Sequence, residues 1–130
     1  MFRYKLLIRE SHLDTFGHVN NATYLALMEE ARWEWITSNG YSLDTIQETS
    51  QGPTILEITI AFKRELLLRQ EVEITCEVES YEGKIGKVKQ LILNSDGQIC
   101  CEATFTVALF DLQKRKLIEP TERWLEATRS

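Results

Sequence analysis

Asp14-Thr15-Phe16-Gly17-His18-Val19-Asn20-Asn21-Ala22-Thr23-Tyr24-Leu25-Ala26-Leu27-Met28-Glu29-Glu30-Ala31-Arg32-Trp33-Glu34-Trp35 is the stretch on which the fold turns. Up to Asn21 it is polar and turn-rich, with Gly17 as punctuation. After Asn21 the period changes. Tyr24, Leu27, Met28, Ala31 and Trp35 fall at i, i+3, i+4, i+7 and i+11, the apolar stripe of one long helix. Asn20 or Asn21 supplies an N-cap, because a short side-chain oxygen can accept from the orphan N–H groups of the first turn; Asn39-Gly40 supplies the stop. Leu25, Trp33 and Ile36 widen the apolar surface beyond the stripe. The helix is therefore expected to be wrapped on more than one side, by a sheet or by a second subunit.

Outward from that helix, the pattern has period two, the mark of half-buried strands. Phe2, Tyr4, Leu6 and Ile8 alternate with charged residues ahead of it. Behind it, Leu56, Ile58, Ile60 and Phe62 alternate with polar partners, as do Val72, Ile74, Cys76 and Val78. A less regular strand near 84–94 is turned by Asn94-Ser95-Asp96-Gly97, a hairpin signal, into the alternation from Ile99 to Leu109. Pro120 opens a short helical stretch through Trp124 and Leu125. The expected fold is α+β, a single domain over 1–130: one long central helix wrapped by a curled antiparallel five-stranded sheet, four of its strands in meander-like succession, with a short C-terminal helix. Long strands leave open edges, and pairing through such an edge predicts a homodimer or homotetramer.

Composition bounds the function. A chain of 130 residues that is 43% apolar, with two prolines and six glycines, has a real core and excludes disordered or collagen-like readings. Fifteen Lys and Arg against 20 Asp and Glu leave a formal net charge of −5, unfavourable for coating nucleic acid. The basic residues are nevertheless clustered, as Lys63-Arg64, as Lys84, Lys87 and Lys89, and as Lys114-Arg115-Lys116, so a small phosphorylated ligand could be held locally. Three cysteines, Cys76, Cys100 and Cys101, without C-x-x-C spacing fit neither a disulfide framework nor a structural zinc site. The longest N-terminal apolar run, Leu6-Leu7-Ile8, is too short for a signal-peptide core or a membrane span, and a cytoplasmic location is expected.

The usual catalytic signatures of nucleophile elbows, dinucleotide folds, P-loops and zinc proteases are missing. The two histidines, His12 and His18, both sit in the first loop, and no spacing there fixes a metal; none is expected. What remains is the segment from Asp14 to Tyr24, continued by Tyr24-Leu25 and Glu29-Glu30-Ala31-Arg32 and, more weakly, by Ile60-Ala61-Phe62-Lys63-Arg64. It resembles the signature of the hotdog-fold thioesterases, in the branch of 4-hydroxybenzoyl-CoA thioesterase and the YbgC-type acyl-CoA thioesterases. The strand order fits that fold, so the likeness spans nearly the whole chain.

The resemblance implies hydrolysis of an acyl-CoA thioester, aliphatic or aryl, to free acid and coenzyme A. It implies no cofactor, since coenzyme A is part of the substrate. A helix N-terminus presents unpaired N–H groups and about half a positive charge, which makes it an oxyanion hole for the attacked carbonyl. By resemblance the donor is the N–H of Asn21, with Ala22 nearby, Gly17 permits the sharp turn, and Asp14 attacks directly or deprotonates a water. His18 is either a loop hydrogen-bond partner or a participant. In the related plant acyl-ACP thioesterases Asn stands where this chain has Phe16, which argues against the Asn-dependent variant. Lys63 and Arg64 are implied to hold the coenzyme phosphates, with Lys84 or Lys87, although Glu65 and Arg69-Gln70 replace the family's usual turn residues after that strand. Tyr24 and Phe62 border an apolar pocket with Trp33, Trp35 and Tyr41. Glu29 and Glu30 read as solvated or paired with Arg32, or as the helix carboxylate of another hotdog branch. An acyl carrier protein thioesterase and a non-catalytic acyl-CoA-binding module are the alternatives.

Overall fold

Helix α1 (Asn21–Ser38) forms where the period-3.6 stripe predicts it, and Tyr24, Leu27, Met28, Ala31 and Trp35 are all buried. In the computed structural model, which describes residues 1–129, it packs against strands β1 (Phe2–Leu7) and β3 (Glu71–Glu82) and against the C-terminal helix α3 (Glu122–Ala127). The Trp35 indole N–H donates to the Arg129 carbonyl at 2.9 Å, tying α1 to the segment that follows α3. Thr121 caps α3 by accepting from the Trp124 N–H at 3.2 Å.

The remaining strands are β2 (Gln51–Phe62), β4 (Ile85–Leu93), β5 (Ile99–Asp111) and β6 (Lys116–Ile118). All pair antiparallel, in the order β1-β3-β4-β5-β2, and β6 adds to the end of β5. The curled antiparallel sheet is thus as expected, with two corrections. It has six strands rather than five, because the three-residue β6 is too short to show a period. The four later strands are not one meander: β3, β4 and β5 are, but β2 pairs with β5 and closes the opposite edge of the sheet from β1. The segment 63–70 carries the chain across from β2 to β3. A seven-residue helix α2 (Leu43–Thr49) before β2 was likewise not expected; Ser42 and Thr45 form its capping box.

The sheet has two distinct faces. Ile74, Cys76, Val88, Ile92, Cys101, Ala103, Phe105 and Val107 lie buried in the core that holds α1. The alternate residues, among them Glu73, Lys87, Lys89 and Glu102, face outward. On β2 the inward residues Ile58 and Phe62, paired with Phe105 and Cys101, remain 40% and 46% exposed, so α1 does not cover that edge. No helix among the described residues is long and apolar enough to cross a membrane.

Candidate active site

Asp14 closes a five-residue turn. Its Oδ1 accepts from the N–H of Phe16 at 2.9 Å and of His18 at 3.1 Å. Its backbone N–H donates to the His18 carbonyl at 2.8 Å, its carbonyl accepts from Gly17 at 3.0 Å, and Gly17 has φ +78°. A bridge between Leu13 and Val19 seals the loop. The same five-residue design recurs at Asn94-Ser95-Asp96-Gly97-Gln98. Asn94 Oδ1 accepts from Asp96 and Gln98 N–H at 3.0 and 2.9 Å, and Gly97 also has φ +78°. An amide therefore suffices for the turn. The negative charge at Asp14 is surplus to the loop's architecture, and its second oxygen makes no hydrogen bond within the described residues.

This turn delivers the chain into α1. Asn20 is the N-cap, its side chain accepting from Thr23 N–H at 3.2 Å. Thr23 and Tyr24 also donate to the Asn20 carbonyl, whereas the N–H groups of Asn21 and Ala22 meet no acceptor among the described residues. These are the orphan donors of the helix start, and they stand beside the exposed Phe16–His18 loop. The Tyr24 and Phe62 rings meet edge to face with centroids 5.0 Å apart, so β2 ends against the first turn of α1. Burial raises the Tyr24 pKa. The two residues expected to border the pocket are thus brought together.

Other expectations are redistributed. His18 is exposed and its ring makes no hydrogen bond among the described residues; His12 Nδ1 accepts from Arg9 N–H at 2.9 Å and belongs to the loop. Lys63 pairs with Glu102 at 3.1 Å, and the lysine beside it is Lys89, 3.3 Å from the same carboxylate, rather than Lys84 or Lys87. Lys87 instead donates to Thr106. The Lys63 and Lys89 hydrogen bonds hold the Glu102 carboxyl below its ordinary range. Arg64 is exposed and forms no ion pair among the described residues. Glu30 is not paired with Arg32: it accepts from the Tyr4 hydroxyl at 2.5 Å, which pushes the Tyr4 pKa up to about 12.

Arg32 stands outside the sequence-predicted site. Its guanidinium lies 4.3 Å over the Phe105 ring and donates to Gln90 Oε1 at 3.0 Å. It lines a cavity of about 100 Å³ near the end of α1, together with Trp33, Trp35, Ile36, Pro53, Ile55 and Trp124. Of the aromatics expected to line a pocket, Trp33 and Trp35 do so there, while Tyr41 donates to the Gln51 carbonyl and packs on Trp124. No period or motif distinguishes a half-buried arginine from one paired along its own helix.

A long capped helix laid against a curled antiparallel sheet gives the chain the hotdog fold. Residues 8–127 match the Thioesterase-like superfamily, and the chain belongs to that family. It is 32% identical to the long-chain acyl-CoA thioesterase FadM of Escherichia coli (strain K12) over 115 residues, 88% of this chain and 86% of that one. The acyl-CoA thioester hydrolase YbgC of Shigella flexneri is 25% identical over 116 residues, 89% and 87% of the two chains. The crystal structure of YbaW, a probable thioesterase from Escherichia coli, superposes with a TM-score of 0.87 at 27% identity over the full length of both chains.

Proposed function

We propose that this chain is an acyl-CoA thioesterase in which Asp14 is the catalytic carboxylate and the N–H groups of Asn21 and Ala22 form the oxyanion hole. The observation that carries the reading is the surplus charge of Asp14, held on a turn that an asparagine closes equally well elsewhere in the same chain. The thioester oxygen seats at the helix start, where two donors are open and the helix dipole favours the charge that grows on attack. Gly17 and His18 shape the turn and its exposed lip. Asp14 either adds to the carbonyl, giving an anhydride that water cleaves, or takes the proton of an attacking water. The thiolate departs unaided, because a thiol ionises with a pKa of about 8.5.

Tyr24 and Phe62 border the first part of the acyl site. Arg64 is the open cation for the coenzyme phosphates, and Lys63 would reach them only by leaving Glu102. The FadM and YbgC names support the coenzyme A thioester as substrate class. The free thiols Cys76, Cys100 and Cys101 fit a reducing, cytoplasmic compartment. The test is thiol release from a panel of acyl-CoAs, run beside acyl carrier protein thioesters. Turnover of the coenzyme A esters that vanishes in Asp14→Asn supports the reading; turnover of the carrier-protein esters alone, or binding without turnover, overturns it.

A further inference from the structure

We infer that the cavity at the far end of α1 receives the end of the acyl chain, and that Arg32 there selects acyl groups bearing a neutral oxygen, hydroxyl or carbonyl, at that end. The inference rests on the thioesterase reading and names its substrate class more closely.

The path is laid out by β2. Phe62 meets Tyr24 at the start of α1, while Pro53 and Ile55 share the cavity with Trp33 and Ile36 near its end. Between them Ile58, on the same face as Phe62, is partly open. A half-covered apolar strip thus follows α1 from the candidate oxyanion hole to the cavity. Asn21 and Arg32 are eleven residues apart, about 16 Å along the axis. That is the reach of a long acyl chain rather than an acetyl group.

The cavity's chemistry is one-sided. A guanidinium carries five N–H donors, and Arg32 places one of them on Gln90 and makes no ion pair among the described residues. Gln90 is fixed, being fully buried with its amide nitrogen donating to the Met28 carbonyl at 3.0 Å and toward Cys76 Sγ at 3.2 Å. Its oxygen is thereby aimed at Arg32. Burial holds the Arg32 pKa below its usual value. The remaining N–H groups of this half-buried guanidinium border apolar walls, so an acceptor placed there gains a charge-assisted hydrogen bond that a methyl end does not. Glu29 lines the rim and offsets the positive charge, which favours a neutral oxygen over a carboxylate. At about 100 Å³ the space equals roughly three waters, enough for the last heavy atoms of a chain.

The experiment compares kcat/KM for acyl-CoA pairs of equal length, one unsubstituted and one ω-hydroxylated, from short to long chains. The wild type is expected to favour the ω-hydroxy ester about tenfold or more once the chain is long enough to reach Arg32, and not before. Arg32→Met, which keeps the packing of the stem, should bring the ratio to about one. No preference at any length, or one that survives in Arg32→Met, overturns the inference; water or a second subunit then satisfies the guanidinium. Should Arg32→Met fail to fold, product inhibition of the wild type decides: an ω-hydroxy fatty acid must inhibit better than its unsubstituted counterpart, and equal inhibition overturns the inference. Absence of thiol release from every acyl-CoA would instead strike the thioesterase reading. Calorimetric binding of the two acids would then still judge the cavity.

Discussion

Asp14 and Asn94 close the same turn, and only one of them carries a charge. That pairing makes the usual ambiguity of a loop aspartate testable by two substitutions rather than one. Asp14→Asn keeps the Oδ1 acceptor, so thermal unfolding should barely move, while kcat on acyl-CoA should drop by about 10²–10⁴-fold. Asp14→Ala removes both turn bonds as well, and should cost about 1–3 kcal/mol of stability in addition to turnover. An Asp14→Asn enzyme retaining more than about a tenth of wild-type kcat would fall short of that loss and would move the search to His18 and Glu29. The aspartate, the glycine and the cap were legible because their bonds run within five residues of one another. Arg32 was not, because its partners Gln90 and Phe105 lie 58 and 73 residues away and only the fold brings them there.

At the scale of elements, two hairpins carry predictions. Gly86 opens β4 beside the Tyr81 ring, and a Cβ at residue 86 would lie 2.7 Å from Tyr81 Cε2 and 2.8 Å from Cδ2. Gly86→Ala should therefore lower stability by about 1–3 kcal/mol through overpacking. In a double-mutant cycle with Tyr81→Ala most of that loss should disappear, and strictly additive losses would assign it to the backbone instead. At the β5–β6 turn, Asp111 Oδ1 accepts from Lys114 N–H at 2.8 Å and from Gln113 N–H at 3.0 Å, and these bonds, the first foremost, hold its carboxyl below the ordinary range. A depressed folded-state pKa adds stability above the unfolded value of about 3.9, and that stability is lost as pH falls through the folded value. Wild type should thus melt higher than Asp111→Asn at pH 7, and the gap should close as the pH is lowered below about 4. A gap independent of pH would mean that the charge plays no part.

The same scale explains what the sequence disclosed of the elements. α1 and the strands β3 and β5 announce themselves because each is long and buries one face in a regular period. α2 buries only Thr45 fully, and β6 offers three residues, so neither has room for a pattern. The apolar alternation of β2 was visible, but its partner was not. Pairing with β5 across about forty intervening residues is a tertiary choice that local periodicity does not encode. The bulge between Ile55 and Glu57 further shifts the alternation halfway along.

For the whole molecule, β2 is the open edge of the sheet. It is twelve residues long, about 40 Å of edge, and carries Leu56 at 47% exposure beside the open Ile58 and Phe62. Natural sheets seldom leave so long an apolar edge bare, and the economical cover is a second copy of the same strand. The protein is accordingly predicted to sediment at micromolar concentration as a species about twice its 15.1 kDa chain mass, or a multiple of that. Leu56→Lys places a charge on that edge and removes about 1.5 kcal/mol or more of apolar burial, so dissociation should become easier by about tenfold or more. Phe62 and Tyr24 couple this edge to the helix start, so specific activity should fall on dilution in parallel with dissociation, and fall earlier in Leu56→Lys. A wild type that sediments only at 15.1 kDa would sink the prediction. A dimer unaffected by Leu56→Lys would place its interface on another face, and activity independent of dilution through dissociation would mean that each chain holds a complete site.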